Sequence, residues 1–262
     1  MDKNCRLLKE KVVLISGAGK GIGKEICYVF AQNGANLVLL SRTQEDIEQV
    51  AAAARKFGVE ALPVKTDVSS YSEVKSAVKK ALKYFGKVDI LVNNAGGGVK
   101  TPVINLNVED WKSTFDINFF GSLYLSSEVI KNMVKNKSGN IINVSSRCAS
   151  QPTPDYGAYG ASKAALLVLS ETMSLEYKRY GLRVNSISPA RVSTERAVKV
   201  SIGEDTSNWI KPREVADVAL FLASDLSKAL NGIEIKIFGN FYRIGTYEYK
   251  AAEEIVGEKF TW

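Results

Sequence analysis

The sequence predicts an α/β fold: a single domain built on a doubly wound parallel sheet of about seven strands with helices on both faces. Three observations carry that prediction. Short β-branched runs recur without polar alternation, as strands covered on both faces should. Helical patterns separate these runs from end to end, supplying the crossovers that parallel strands need. The first strand also runs directly into a glycine cluster that opens a helix.

Residues 11–16 (K-V-V-L-I-S) read as the first strand. The turn G-A-G-K-G-I-G follows, then a helical pattern carried by Ile26, Val29, Phe30 and Ala31. Asn36–Ser41 (N-L-V-L-L-S) is a second buried strand and completes a βαβ unit. Next come a helix over 44–57, a strand over 60–65, the tetrapeptide T-D-V-S and a helix over 72–85. Residues 88–92 (V-D-I-L-V) form a fourth strand ending in N-N-A-G-G-G. One or two helices cover 108–135, broken near Gly121 or spanning it. Strand five is 139–145, a long helix covers 156–180, and strand six is 183–188. A helix over Pro212–Ala223 and a last strand over 232–238 complete the alternation. No linker, repeat or low-complexity segment interrupts it, so one domain over 1–242 is expected, with 243–262 as a C-terminal extension.

Composition excludes several chemistries. The 262 residues are 45% hydrophobic and 24% charged, an ordinary globular balance. The net charge of +7 is scattered among acids along helical stretches, so neither a nucleic-acid surface nor a membrane-binding one is expected. Histidine is absent, which rules out a Ser-His-Asp triad, a Cys-His pair and a His-ligated metal within this chain. Cys5, Cys27 and Cys148 form no CxxC pair, and reduced thiols are expected. The N-terminus lacks an apolar signal core, so a soluble cytoplasmic protein is expected.

The glycine turn points to a dinucleotide. Gly17, Gly21 and Gly23 give the spacing G-x-x-x-G-x-G between a buried strand and a helix, a Rossmann-type context. Bare backbone there approaches a pyrophosphate closely, and the helix N-terminus stabilises its charge. The second strand ends in Ser41 and Arg42, where a carboxylate would bind a ribose 2′-hydroxyl. A guanidinium at that place favours a 2′-phosphate, with Lys20 as a second cation. NADP(H) is therefore preferred over NAD(H).

A second stretch, from Ser146 to Lys163, supplies the chemistry. Ser146 ends the apolar run I-I-N-V-S, while Tyr159 and Lys163 stand four apart at the start of the long helix and share one face. A serine, a tyrosine and a lysine thereby converge on one small polar group. Lys163 is expected to favour the phenolate and lower the pKa of Tyr159.

G-A-G-K-G-I-G, N-N-A-G at 93–96, Asn118, Ser146 and Y-G-A-S-K at 159–163 together resemble the short-chain dehydrogenase/reductase family. The pattern is most similar to the subgroup of 3-oxoacyl-[acyl-carrier-protein] reductases and glucose dehydrogenases. The resemblance implies a catalytic tetrad of Asn118, Ser146, Tyr159 and Lys163. It places Gly17, Lys20, Gly21 and Ile22 at the cofactor phosphates, with Gly23 allowing close helix packing. It also implies adenine contacts from Asp67 and Val68, and an adenosine border of Asn94, Ala95 and Gly96. Pro189, Val192 and Thr194 match the segment at the nicotinamide carboxamide, and Tyr159 and Lys163 reach the cofactor too. Ser146 is preferred over Ser145 because it stands 13 residues before Tyr159, the spacing usual in the subgroup. Asn118 would support a water chain.

Three departures from the family pattern stand out. Ala190 follows Pro189 where glycine is usual, so an altered turn is expected there. The segment 194–214 is shorter than the usual substrate lid. The last strand lacks its usual Asp-Gly-Gly turn and leads into the Tyr-rich tail. The expected activity is NADP(H)-dependent interconversion of a small carbonyl and an alcohol, carrier-linked substrates included, in a homodimer or homotetramer. The rival reading is a non-catalytic NADP(H)-binding sensor or scaffold on the same fold.

Overall fold

The computed structural model describes residues 6–201 and 203–239. The tail expected over 243–262 lies outside the described residues, as does Cys5. Seven strands form one sheet: β1 (Val12–Ser16), β2 (Asn36–Ser41), β3 (Ala61–Lys65), β4 (Ile90–Asn93), β5 (Gly139–Val144), β6 (Leu182–Pro189) and β7 (Glu234–Ile237). Their order is β3-β2-β1-β4-β5-β6-β7, and every pairing is parallel. β3 tolerates Pro63 because it is an edge strand and that residue's missing N–H can face away from the ladder.

The crossovers are α1 (Gly21–Gln32), α2 (Gln44–Arg55), α3 (Tyr71–Phe85), α4 (Val108–Phe115), α5 (Gly121–Asn136), α6 (Gly157–Tyr177), α7 (Glu195–Val200) and α8 (Pro212–Ala223). All five residues of β1 are buried, and they divide by alternation. Val13 and Ile15 join the core beneath α1, α2 and α8, while Val12 and Leu14 join the core beneath α3, α5 and α6. Two apolar layers around one sheet explain why the strands read as unbroken apolar runs.

The helical run over 108–136 neither breaks at Gly121 nor passes it as plain α-helix. Residues Asp116–Phe120 form a π-helical turn joining α4 to α5, with Asn118 fully buried at its centre. Such turns cluster at functional sites because they re-aim a side chain without ending the helix. Gly121, just beyond, is pressed against Val68: a Cβ there would stand 2.8 Å from Val68 Cγ2. α6 begins one residue later than expected and gives way to a 3₁₀ turn over Lys178–Tyr180. The short α7 was not anticipated.

The sheet order reverses between β1 and β4. Succession runs outward through β2 and β3, then restarts on the other side of β1, so the loops after β1 and β4 diverge and leave a crevice. In open α/β sheets that crevice is where ligands bind.

Candidate active site

The floor of the crevice is built by hydrogen bonds between the two diverging loops. Ser16 Oγ accepts from the backbone N–H of Asn94 and of Ala95, both at 3.0 Å. Asn94 Nδ2 donates back to the carbonyls of Ser16 (3.0 Å) and Gly17 (3.2 Å). One floor lower, Asn93 Nδ2 donates to Asn143 Oδ1 at 2.8 Å, and Asn143 Nδ2 to Ser170 Oγ at 2.7 Å, tying β4 and β5 to α6. Asn94 and Ala95 thus fix the glycine turn to the central strand.

The turn itself is bare backbone. Gly17 and Gly21 take φ of 64° and 55°, the left-handed region that disfavours side chains. A Cβ on Gly23 would stand 2.2 Å from the Gly17 carbonyl oxygen, so only glycine lets α1 start that close to the turn. Uncovered N–H groups at a helix N-terminus suit a pyrophosphate, and these residues fit a dinucleotide.

The end of the crevice where a 2′-phosphate is expected is more mixed in charge than the sequence implied. Arg42 is exposed just past β2. Lys20, expected as a free second cation, instead pairs with Asp46 of α2 at 3.0 Å. The Asp46 stem lies against Gly19, where a Cβ would be 2.8 Å from its own. Asp46 gave no motif signal, because its contact with the turn depends on how α2 packs. Asp67 turns inward on its own loop, its Oδ1 accepting from the N–H and hydroxyl of Ser69. Val68 is buried in the core against Gly121, so it offers backbone rather than side chain to the crevice.

At the other end, Pro189 closes β6, Val192 bridges to Ile210, and Thr194 caps α7 by accepting from Ala197 N–H at 3.2 Å. Thr194 also reaches across to the glycine turn: a Cβ on Gly21 would stand 3.1 Å from its Cγ2. Ile22 packs at the margin of the core beside Gly23. The turn at Ala190 is unstrained. Ala190 has no positive φ, and its N–H donates to Ile237 O at 2.9 Å.

Asn118, Ser146, Tyr159 and Lys163 meet beside this crevice. Ser146, at the end of β5, shares a side-chain hydrogen bond with Tyr159. Its neighbour Ser145 instead donates to Lys163 O at 3.0 Å, a scaffold contact. Asn118 Oδ1 accepts from Gly97 N–H and its Nδ2 donates to Gly97 O, both at 2.9 Å. The same Nδ2 donates to Ser162 Oγ at 2.9 Å, and that hydroxyl donates to Tyr159 O at 2.8 Å. Ser162 therefore links Asn118 to the helix that carries Tyr159.

The triglycine after β4 lies directly on these side chains. A Cβ on Gly96 would stand 3.0 Å from Asn118 Oδ1 and 3.1 Å from Lys163 Nζ, and one on Gly98 would stand 3.1 Å from Tyr159 Cβ. Gly97 and Gly98 were not singled out from sequence, although G-G-G after a strand was the available signal.

Electrostatics here differ from expectation. Burial pushes the Tyr159 phenol up to about 12, and the Ser146 hydrogen bond is what pulls it back. Lys163 does not lower it in this arrangement. Its Nζ donates to Val144 O at 2.7 Å and sits 6.0 Å from the Tyr159 ring centroid. Burial in turn brings the Lys163 ammonium down to about 8.

Comparison with known proteins places this geometry. A family model described as short chain dehydrogenase matches residues 11–205. The chain is 32% identical over 240 residues to the 3-oxoacyl-[acyl-carrier-protein] reductase FabG of Thermotoga maritima, covering 88% of this chain and 98% of that one. It is 31% identical over 244 residues to the 2-dehydro-3-deoxy-D-gluconate 5-dehydrogenase of Formosa agariphila, covering 88% and 92%. Among solved structures it is similar to a 7α-hydroxysteroid dehydrogenase complexed with NADH and 7-oxo glycochenodeoxycholic acid. That match has a TM-score of 0.86 and 30% identity, and covers 90% of this chain and 96% of the other.

Proposed function

The chain belongs to the short-chain dehydrogenase family, with FabG-like relatives, and from that premise we propose that it interconverts a ketone or aldehyde and an alcohol, with Tyr159 as the acid/base. The observation that carries the reading is the Ser146–Tyr159 hydrogen bond set beside Lys163 and the Asn118–Gly97 clasp. A dinucleotide would be held by Gly17, Lys20, Gly21, Ile22 and Gly23 at its phosphates, and by Asp67, Val68, Asn94, Ala95 and Gly96 along the adenosine side. Pro189, Val192 and Thr194 would hold its other end. When bound, it supplies the hydride.

The chain's own residues do the rest. Ser146 donates to the substrate oxygen and holds it against Tyr159 Oη. Tyr159 gives its proton to that oxygen in reduction and takes it back in oxidation. A phenol raised to about 12 is a poor base at neutral pH, so the site needs a nearby positive charge to bring it down. In the ligand-free site Lys163 gives its ammonium to Val144 O, so the proposed reaction requires that ammonium to turn toward Tyr159. Asn118, anchored to Gly97 and Ser162, keeps the loop and helix in register and supports a water relay that restores the proton.

NADP(H) is the preferred cofactor, on the strength of Arg42, with NAD(H) the alternative; the similar hydroxysteroid dehydrogenase carries NADH. Val168 and Leu175, exposed on α6, support assembly as a homodimer or homotetramer. No helix among the described residues is long and apolar enough to cross a membrane, and a small soluble carbonyl or alcohol, free or carrier-linked, is the expected partner in the cytoplasm.

The test is titration with NADPH and NADH, followed by turnover on a panel of carbonyls and alcohols. Turnover lost in Tyr159→Phe supports the proposal. Tight NADPH binding without turnover on any substrate would instead fit a non-catalytic nucleotide-binding protein.

A further inference from the structure

One unpaired cation stands over the reacting end of the crevice. Arg196, on α7, lays its guanidinium on the triglycine strip: a Cβ built on Gly97 would stand 3.4 Å from Nη1. Gly97 is the residue Asn118 clasps, and Gly98 backs Tyr159. Arg196 is exposed, and among the described residues it has no ion pair or hydrogen-bond partner.

A second exposed cation follows on the same loop. Lys100, two residues past Gly98, sits 5.4 Å from the Tyr156 ring centroid, and that ring meets the Tyr159 ring at 6.0 Å. Glu195, next to Arg196, and Asp155, whose carbonyl accepts from Thr101 N–H beside Lys100, are exposed, and neither side chain pairs with either cation. A long side chain held over bare backbone without a partner is placed to meet something that enters the cleft. A guanidinium fork matches the two oxygens of a carboxylate or phosphate.

Resting on the oxidoreductase reading above, we propose that Arg196 selects substrates carrying an anionic oxo group, a carboxylate or a phosphate, near the reacting carbonyl. Lys100 adds charge beside Tyr156.

The experiment compares matched substrates: oxo acids against their methyl esters, and phosphorylated hydroxyketones against the unphosphorylated forms. Arg196→Gln should lower kcat/KM for the anionic members about ten- to a hundredfold, the range for a charged hydrogen bond. Arg196→Lys should recover part of this, and neutral members should move by less than about threefold. NADPH and NADH binding, followed by fluorescence, should be unchanged. Whichever arm responds, carboxylate or phosphate, identifies the source of the charge. Equal loss across charged and neutral substrates, or loss of dinucleotide affinity, overturns the proposal, the latter assigning Arg196 to the cofactor phosphates. Calorimetry of the oxo acids and phosphorylated ketones with the NADPH-loaded protein separates this proposal from the reading it rests on. Anion binding that Arg196→Gln abolishes supports Arg196 even if no substrate turns over, whereas no binding to the wild type overturns it.

Discussion

Asn118 grips Gly97 with both ends of its amide, accepting from the peptide N–H and donating to the carbonyl, each at 2.9 Å. The side chain is fully buried at the centre of a π-helical turn, so the helix and the loop after β4 are locked to each other there. Asn118→Ala should therefore cost stability as well as activity. Gly97 loses both partners and Ser162 loses a donor, so about 2 kcal/mol in chemical denaturation is expected. Gly96→Ala tests the same corner differently. Its Cβ would crowd Asn118 Oδ1 and Lys163 Nζ, so turnover should fall more than tenfold, the scale of a misplaced catalytic group. A Gly96→Ala enzyme with wild-type kcat would contradict the close packing described.

Tyr159 carries the proton in the proposed reaction. Tyr159→Phe should lower kcat by about a hundred- to ten-thousandfold, the usual worth of general acid–base catalysis, and leave dinucleotide binding intact. Ser146→Ala removes the hydrogen bond that draws the phenol down, so its ionisation should move further up. Phenolate absorbance during alkaline titration reads this directly. An unchanged titration would remove Ser146 from the tyrosine's environment.

Lys163 gives a pH signature with a definite sign. Burial depresses its ammonium from 10.5 to about 8, so the unfolded chain holds that proton at pH values where the folded chain has released it. Its contribution to stability is present above the unfolded value of 10.5 and is lost as pH falls through about 8. The Lys163 contribution should thus rise between about pH 8 and 10, and Lys163→Met should remove it, leaving the opposite effect of the buried Cys27 thiol, which burial pushes up. The wild-type minus variant difference in denaturant midpoint is the measurement, and a flat difference across this window would be incompatible with the buried charge.

What was legible in the sequence shares one property: it depends on residues within a single contiguous segment. The glycine turn, the four-residue step from Tyr159 to Lys163 and the unbroken apolar strands all report local geometry. The parallel, doubly wound sheet followed because strands alternating with helices need crossover connections, whereas the strand order was not read from the sequence. What escaped depends on contacts between segments. Asp46 reaches Lys20 only because α2 packs beside the glycine turn. Gly97 and Gly98 matter only because α6 and the π-helical turn bring Tyr159 and Asn118 beneath them. The contact that Lys163 makes in the ligand-free site escaped similarly. Helical spacing put Lys163 and Tyr159 on one face, but the Val144 carbonyl, on another element, took the ammonium.

The Lys20–Asp46 pair bears on cofactor choice. Arg42 is the exposed guanidinium at the end of β2, while the charge of Lys20 is offset by Asp46 at 3.0 Å. Two changes should then move NADPH affinity in opposite directions. Arg42→Asp should reverse the preference, because a carboxylate repels a 2′-phosphate and accepts from a 2′-hydroxyl. Asp46→Asn frees Lys20 and should tighten NADPH binding by about two- to fivefold, the range expected when an exposed ion pair is released. NADH, which lacks the 2′-phosphate, should bind Asp46→Asn as it binds the wild type. Fluorescence titration of the three proteins with both dinucleotides checks this. If the NADPH and NADH dissociation constants move together in Asp46→Asn, Lys20 acts on the shared pyrophosphate, and the selectivity must be assigned to Arg42 alone.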